Sequence, residues 1–157
     1  PLLKLIQDDA TLSPAKLAAM LNSTEAEVAA KIKEFEEQGI ILGYQTILNE
    51  EKLALDLVRA EIEVKISPER EGGFDRTAER IARYAEVRSC HLMSGGYDLL
   101  VIVEGKTLRE VALFVSQKLA TIDGVISTAT HFILKTYKER GVMLHEAEVD
   151  ERLPVTP

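Results

Sequence analysis

The sequence holds few of the features of a secreted, membrane or disulfide-rich protein. It has one cysteine, Cys90, so an intrachain disulfide is impossible, which fits a reducing cytosol. No apolar run approaches the roughly 20 residues that span a bilayer, and no signal-peptide pattern opens the chain. These absences predict a cytoplasmic protein with no membrane partner. Pro1 leads directly into the apolar LLKLI pattern, which is consistent with a chain that lacks its natural first residues.

Residues for catalysis or metal binding are equally scarce. The three histidines, His91, His131 and His145, have no metal-ligand spacing, and no cysteine pair accompanies them. No serine stands in a nucleophile motif, and no glycine loop has the P-loop or dinucleotide-binding form. The sequence therefore predicts that the protein is not an enzyme and that it holds no metal and no cofactor.

Positive charge is also in short supply. The 157 residues carry a net charge of −7, which argues against a general nucleic-acid coat protein but leaves room for a local basic contact. Hydrophobic content of 46% and charged content of 29% are ordinary for a globular protein. The length allows one medium domain or two small ones.

The first forty residues have helical periodicity and clear start and stop signals. After a short amphipathic helix, Ser13 is a good N-cap and Pro14 fits the first position of a second helix. Thr24 and Glu27 have the spacing of a capping box that begins a third helix, and Gly39 ends it. Three short helices with a tight turn before the third predict a helix-turn-helix. A three-helix packing unit without nucleic acid is the alternative.

After residue 49 the hydrophobic period changes from helix to strand. Residues 58–66 alternate apolar and polar, as in a half-buried strand. The next segments predict the order β-α-β-β-α-β, with further strands at 87–93, 97–104 and 125–137. The third strand is nearly apolar, which indicates a central position or cover on both faces. This order predicts a ferredoxin-like antiparallel sheet with both helices on one face, and hence an α+β protein whose other face needs cover from a second copy.

These periods divide the chain into four segments. We predict a helix-turn-helix domain at 1–49, a linker at 50–56, a ferredoxin-like domain at 57–137 and an acidic C-terminal tail at 138–157. The tail is either disordered or an arm laid on a partner, and the sequence leaves both open.

This layout resembles the Lrp/AsnC family, the leucine-responsive and asparagine-responsive transcriptional regulators. The resemblance runs from about Leu2 to Tyr137 and rests on four segments of the sequence. They are the Leu17-Ala18 pair, EEQGIILGYQTILN (36–49), SGGYDLLV (94–101) and GVISTATHFILK (124–135). It implies a DNA-binding regulator whose ferredoxin-like domain, called RAM, senses an amino acid or related metabolite. It also implies homodimers formed by sheet-to-sheet contact, which assemble further, commonly to octamers.

The resemblance places the effector near the turn between the second and third strands of this domain. Consecutive amides at Gly95 and Gly96 are suited to a carboxylate, and Asp98 is suited to an α-ammonium group. The alternative is a plain hairpin turn next to strand-forming threonines. The residues expected to bind the effector are Ser94, Gly95, Gly96, Tyr97, Asp98, Thr128 and Thr130.

The third helix departs from the family because it lacks arginine. Residues 1–49 hold four lysines against seven carboxylates, a net charge of −3. With Val28, Ile32 and Phe35 on the buried face, Ala26 and Ala30 point almost directly away. Arginine readout of guanine is then impossible, but small alanines allow close approach to thymine methyl groups.

DNA contacts are therefore expected from hydroxyls, helix starts and a few lysines. The expected residues are Ser13, Lys16, Asn22, Ser23, Thr24, Ala26, Ala30, Lys31 and Lys33. We expect weak binding per subunit that depends on several subunits engaging together. The competing hypothesis is a ligand-binding oligomer of the same family that has weakened or lost DNA binding.

Overall fold

The computed structural model describes residues 1–68 and 70–145, which fold as two compact units. The first unit comprises residues 1–48, and the second begins at Asn49. Each unit has its own buried apolar cluster, and the two clusters have no residue in common. Within the described residues, no helix is both long and apolar enough to cross a membrane.

The first unit is a three-helix arrangement with a small core. Its helices are α1 (Leu2–Asp8), α2 (Pro14–Leu21) and α3 (Glu25–Glu37). Leu17, Ala18 and Val28 are its buried residues. Asn22 makes the tight turn before α3 in the left-handed conformation, with a φ of 52°. Gly39 follows α3 with a φ of 68°, which confirms the predicted stop signal.

The second unit contains a four-stranded antiparallel sheet in the order β2-β3-β1-β4. Its strands are β1 (Val58–Ile66), β2 (Val87–Leu92), β3 (Leu99–Gly105) and β4 (Val125–Phe132). Its helices are α4 (Asp75–Ala82) and α5 (Leu108–Phe114), and α5 continues through a π-helical turn, Val115–Leu119. This order of elements and strands confirms the ferredoxin-like fold and the α+β class.

The sheet buries one face against its own helices. Alternate residues of β1, such as Ile62 and Val64, are fully buried, which confirms the predicted half-buried strand. The apolar strand β3 is central, as predicted, and buries Leu99 on the same face. On its other face Leu100 and Ile102 are only half-buried. Within the second unit, the helices α4 and α5 therefore cover only the opposite face of the sheet.

The last strand of the sheet is shorter than predicted, so the expected extent of 125–137 was wrong. The strand ends at Phe132, and the Ile133 amide makes one more hydrogen bond, of 2.9 Å, to the Arg59 carbonyl. Because β1 starts at Val58, β4 has almost no partner beyond that point. A short hairpin, β5 (Lys138–Glu139) and β6 (Val142–Met143), follows in the segment predicted as a tail, and residues 146–157 lie outside the described residues.

Several large apolar side chains are exposed in the chain on its own. Leu42 and Leu134 are 93% and 94% exposed. Others with at least half of their surface exposed include Ile40, Tyr44, Leu48, Leu53, Leu55, Tyr137 and Met143. Exposed apolar surface on this scale is typical of a protein that associates.

Candidate functional site

The start of α3 is a capping box, as predicted, and it holds one additional bond. The Thr24 hydroxyl accepts from the Glu27 amide at 3.2 Å, and the Glu27 carboxylate accepts from the Thr24 amide at 3.1 Å. The Ser23 hydroxyl also donates to Glu27, with an oxygen–oxygen distance of 2.6 Å. These bonds, first that of the Ser23 hydroxyl, hold the pKa of the Glu27 carboxyl below its usual value. An ionised carboxylate therefore occupies two of the groups expected to contact phosphate, the Ser23 hydroxyl and the Thr24 amide.

The two lysines of α3 also have carboxylate partners on their own helix. The Lys31 ammonium lies 2.7 Å from Glu34, and that of Lys33 lies 3.7 Å from Glu37. All four side chains are close to half exposed or more, so these pairs are weak and exchangeable. Ala26 and Ala30 are exposed, in agreement with the expected outward face.

The predicted DNA-contacting residues before α3 differ in their hydrogen bonds and exposure. The Ser13 hydroxyl caps α2 by accepting from the Lys16 amide at 3.3 Å. The Lys16 ammonium makes no ion pair within the described part of the chain, so its charge is available to an anion. Asn22 is exposed in the turn between α2 and α3. The first unit thus presents Lys16 on α2, which has no ion pair among the described residues, and the Asn22 amide in the turn before α3.

The turn expected to bind the effector is open on the surface of the second unit. Ser94, Gly95 and Gly96 are exposed. Gly95 has a φ of 119°, a conformation that side chains rarely adopt, so the turn itself requires this glycine. An added Cβ at Gly96 would meet no atom within 4 Å, and its backbone is not left-handed. A ligand can therefore reach the backbone of this turn.

Asp98 is hydrogen-bonded to the first strand of the sheet, which the sequence did not indicate. Its carboxylate oxygen Oδ2 accepts from the Ile66 amide at 2.9 Å, beside the register shift between Lys65 and Ile66. Its own amide donates to the Val64 carbonyl at 3.0 Å. The second oxygen, Oδ1, makes no hydrogen bond to the described residues. Asp98 therefore holds the turn in place and retains one acceptor for a ligand.

The two threonines lie one strand away from the turn, on β4. Thr128 pairs with Val64 and Thr130 with Ile62. Since Val64 also bonds Asp98 on its other side, Thr128 and Asp98 are separated by one strand, or roughly 10 Å. Directly paired residues point to the same face, so both threonines share the helix-covered face with Val64 and Ile62. The structure thus brings Thr128 near the turn and places Thr130 farther along the strand.

An ion-pair network that the sequence did not reveal links three strands of the second unit. The Arg59 guanidinium donates to Glu104 through Nε at 2.9 Å and Nη2 at 2.8 Å, and Nη2 also reaches Glu50 at 2.8 Å. Arg88 Nε lies 2.6 Å from the second oxygen of Glu104. Burial lowers the pKa of Arg59, but its bonds and its attraction to Glu104 and Glu50 outweigh this and raise it. The only sign of this network in the sequence was the polar position of Arg59 in the alternating pattern of β1.

The chain combines a helix-turn-helix unit with a ferredoxin-like unit. A winged helix-turn-helix DNA-binding model matches residues 2–41, and the Lrp/AsnC ligand binding domain model matches residues 59–143. The chain therefore belongs to the Lrp/AsnC family, as the resemblance in its sequence implied. Relatives are named as transcriptional regulators, which confirms the expectation that the protein is not an enzyme.

Similar proteins cover nearly the whole chain. YugG, an uncharacterised HTH-type transcriptional regulator of Bacillus subtilis, is 40% identical over 99% of this chain and 95% of its own. The proline dehydrogenase transcriptional activator of Rhizobium radiobacter is 26% identical over 90% of both chains. A transcriptional regulator of Neisseria meningitidis, solved as a complex with L-Met, matches with a TM-score of 0.69 at 24% identity over 88% of both chains. That structural likeness supports the fold.

Proposed function

We propose that the protein is a sequence-specific DNA-binding transcriptional regulator that senses an amino acid or a related small metabolite. The observation that carries this proposal is the presence of both family domains in one chain, at 2–41 and 59–143. DNA is bound by the first unit, through the outward face of α3 and the groups beside its start. The effector is bound at the turn of residues 94–98 in the second unit.

DNA binding by each subunit is weak, because residues 1–49 hold four lysines against seven carboxylates. Of the lysines predicted to contact DNA, Lys31 and Lys33 have glutamate partners, whereas Lys16 has none among the described residues. The exposed Ala26 and Ala30 permit close approach of α3 to the floor of the major groove and contact with thymine methyl groups. Affinity then comes from several subunits bound to one stretch of DNA.

Fluorescence anisotropy on DNA from upstream of the protein's own gene tests this function. We expect specific binding, compared with an unrelated duplex, and a slope on the order of −2 per subunit in log K against log salt. A slope near −8 would contradict the sparse phosphate contacts argued above. No binding at low salt by a folded oligomer would instead favour a ligand-binding protein that has lost DNA binding.

Self-association is part of the proposed function. The half-buried Leu100 and Ile102 lie on the sheet face that the chain's own helices leave uncovered. A second copy covers this face in a homodimer, and dimers assemble further, up to an octamer. Sedimentation velocity measures these states, and an effector bound between subunits shifts their distribution.

Effector binding at the turn is tested by two substitutions of Asp98. Asp98→Asn keeps an oxygen for the Ile66 amide but removes the charge that attracts an ammonium group, so we expect a folded protein whose amino-acid affinity falls at least tenfold. Asp98→Ala also leaves that amide without a partner and should lower the free energy of unfolding by about 1 kcal/mol. Calorimetric titration with a panel of amino acids, together with thermal unfolding, measures both effects.

Gly96→Ala is a companion variant for the same turn. The added methyl meets no atom of the chain, so the fold and its stability should not change. A ligand carboxylate held against the Gly96 backbone would meet that methyl and bind more weakly. Unchanged affinity in both Gly96→Ala and Asp98→Asn would place the effector elsewhere.

A further inference from the structure

The start of α3 contains an internal competitor for DNA phosphate. Two donors beside this helix start, the Ser23 hydroxyl and the Thr24 amide, both donate to one carboxylate oxygen of Glu27. An ordinary capping box accounts for the bond to the Thr24 amide. The bond from Ser23, at 2.6 Å, goes beyond that motif and engages a second donor.

A phosphate and this carboxylate require the same surroundings. Both are anions that accept hydrogen bonds from helix-start amides and nearby hydroxyls, and both are attracted by the helix dipole. The carboxylate is tethered to the helix and so is always present, whereas the phosphate arrives from solution. Little positive charge compensates for it, because Lys31 and Lys33 have glutamate partners and residues 1–49 are net negative.

We propose that Glu27 is an autoinhibitory residue that sets the DNA affinity of each subunit by occupying the Ser23 and Thr24 donors. This inference rests on the proposed DNA-binding function. A bound phosphate displaces the carboxylate from Ser23, and the carboxylate then repels the phosphate at short range. The lowered pKa of Glu27 keeps it ionised at neutral pH, so the competition persists under ordinary conditions.

Glu27→Gln in the full chain is the central variant. Glutamine also fits the third position of a capping box, so α3 should still form. Removing the charge should tighten binding to both specific and unrelated duplexes by about fivefold, the factor expected for one charge–charge contact in water. Glu36→Gln is the matched control, since it removes the same charge from the same helix and keeps an oxygen for the Tyr44 hydroxyl. It should change affinity less than twofold.

The coupling between Ser23 and Glu27 separates competition from a simple change in net charge. In the wild-type protein Ser23→Ala should have little effect on DNA affinity, because the substitution removes both the hydroxyl that contacts phosphate and the bond to Glu27 that competes with this contact. In the Glu27→Gln background the same change should weaken binding several-fold, since a phosphate displaces a neutral glutamine oxygen from the hydroxyl more readily than it displaces a carboxylate. Additive effects of the two substitutions would overturn the proposal.

The remaining outcomes are equally decisive. Equal effects of Glu27→Gln and Glu36→Gln, in proteins with unchanged thermal unfolding, would also overturn it. Binding by Glu27→Gln where the wild-type protein binds no duplex would support strong autoinhibition. If neither protein binds any duplex at low salt while both are folded oligomers, the proposed DNA-binding function fails and this inference fails with it. Wild-type binding without a Glu27 effect refutes the inference alone.

Discussion

Leu17→Ala is expected to abolish DNA binding and to leave the second unit folded. Leu17 is 1% exposed, and only Ala18 and Val28 are buried beside it in the core of the first unit. Losing its side chain should cost about 3 kcal/mol, which is a large part of the stability of a unit of this size. Among the residues that the structure describes, the sheet core has thirteen buried residues and none in common with this cluster.

Met20→Ala is the control for that experiment. Met20 lies on the same helix and is 57% exposed, so its truncation should change stability by less than 1 kcal/mol. Anisotropy on the target DNA and amide NMR spectra report on the two units separately. DNA affinity close to that of the wild type in Leu17→Ala would show that the first unit does not depend on this small core.

Arg59→Met is expected to lower the free energy of unfolding by about 2 kcal/mol. Methionine keeps much of the length of the side chain but removes its bonds to Glu104 and Glu50. Among the described residues, Glu104, whose side chain is 15% exposed, then keeps only Arg88 as a partner. Because Glu50 directly follows the first residue of the second unit, we also expect faster proteolysis around residues 50–56. Chemical denaturation and limited proteolysis measure these effects.

Arg88 provides a matched comparison for Arg59. Its side chain is 55% exposed and pairs with Glu104 alone, so Arg88→Met should cost less than 1 kcal/mol. Replacing Glu104 with leucine in the Arg59→Met background should recover part of the loss, because it removes the mostly buried carboxylate that has lost Arg59. Equal losses of unfolding free energy in Arg59→Met and Arg88→Met would show that the partial burial of Arg59 does not strengthen its ion pairs.

Local signals in the sequence predicted the helical unit well. Ser13 with Pro14, and Thr24 with Glu27, act over one to three residues, so the chemistry that starts α2 and α3 can be read directly. The alternation in β1 and the apolar run of β3 likewise predicted which faces are buried. Family resemblance supplied the proposed position of the effector at the turn of residues 94–98, which periodicity alone could not have done.

The sequence did not predict contacts between distant parts of the chain. The bond from the Ile66 amide to Asp98 spans 32 residues, and that from Arg59 to Glu104 spans 45. Each depends on which residues of two strands lie opposite one another, and hydrophobic period does not determine this register. The end of β4 was overestimated for the same reason, since it depends on where β1 begins.

In the proposed oligomer, the exposed leucines make stability depend on the concentration of the protein. Leu42 and Leu134 are almost fully exposed in the single chain, and a second folded copy that covers them stabilises the folded form. By mass action, such binding raises the melting temperature as concentration rises and lowers it on dilution. The folded protein would thus be less stable in a cell that makes little of it than in a cell that makes much. The concentration of the protein would then affect the regulator, in addition to the proposed metabolite.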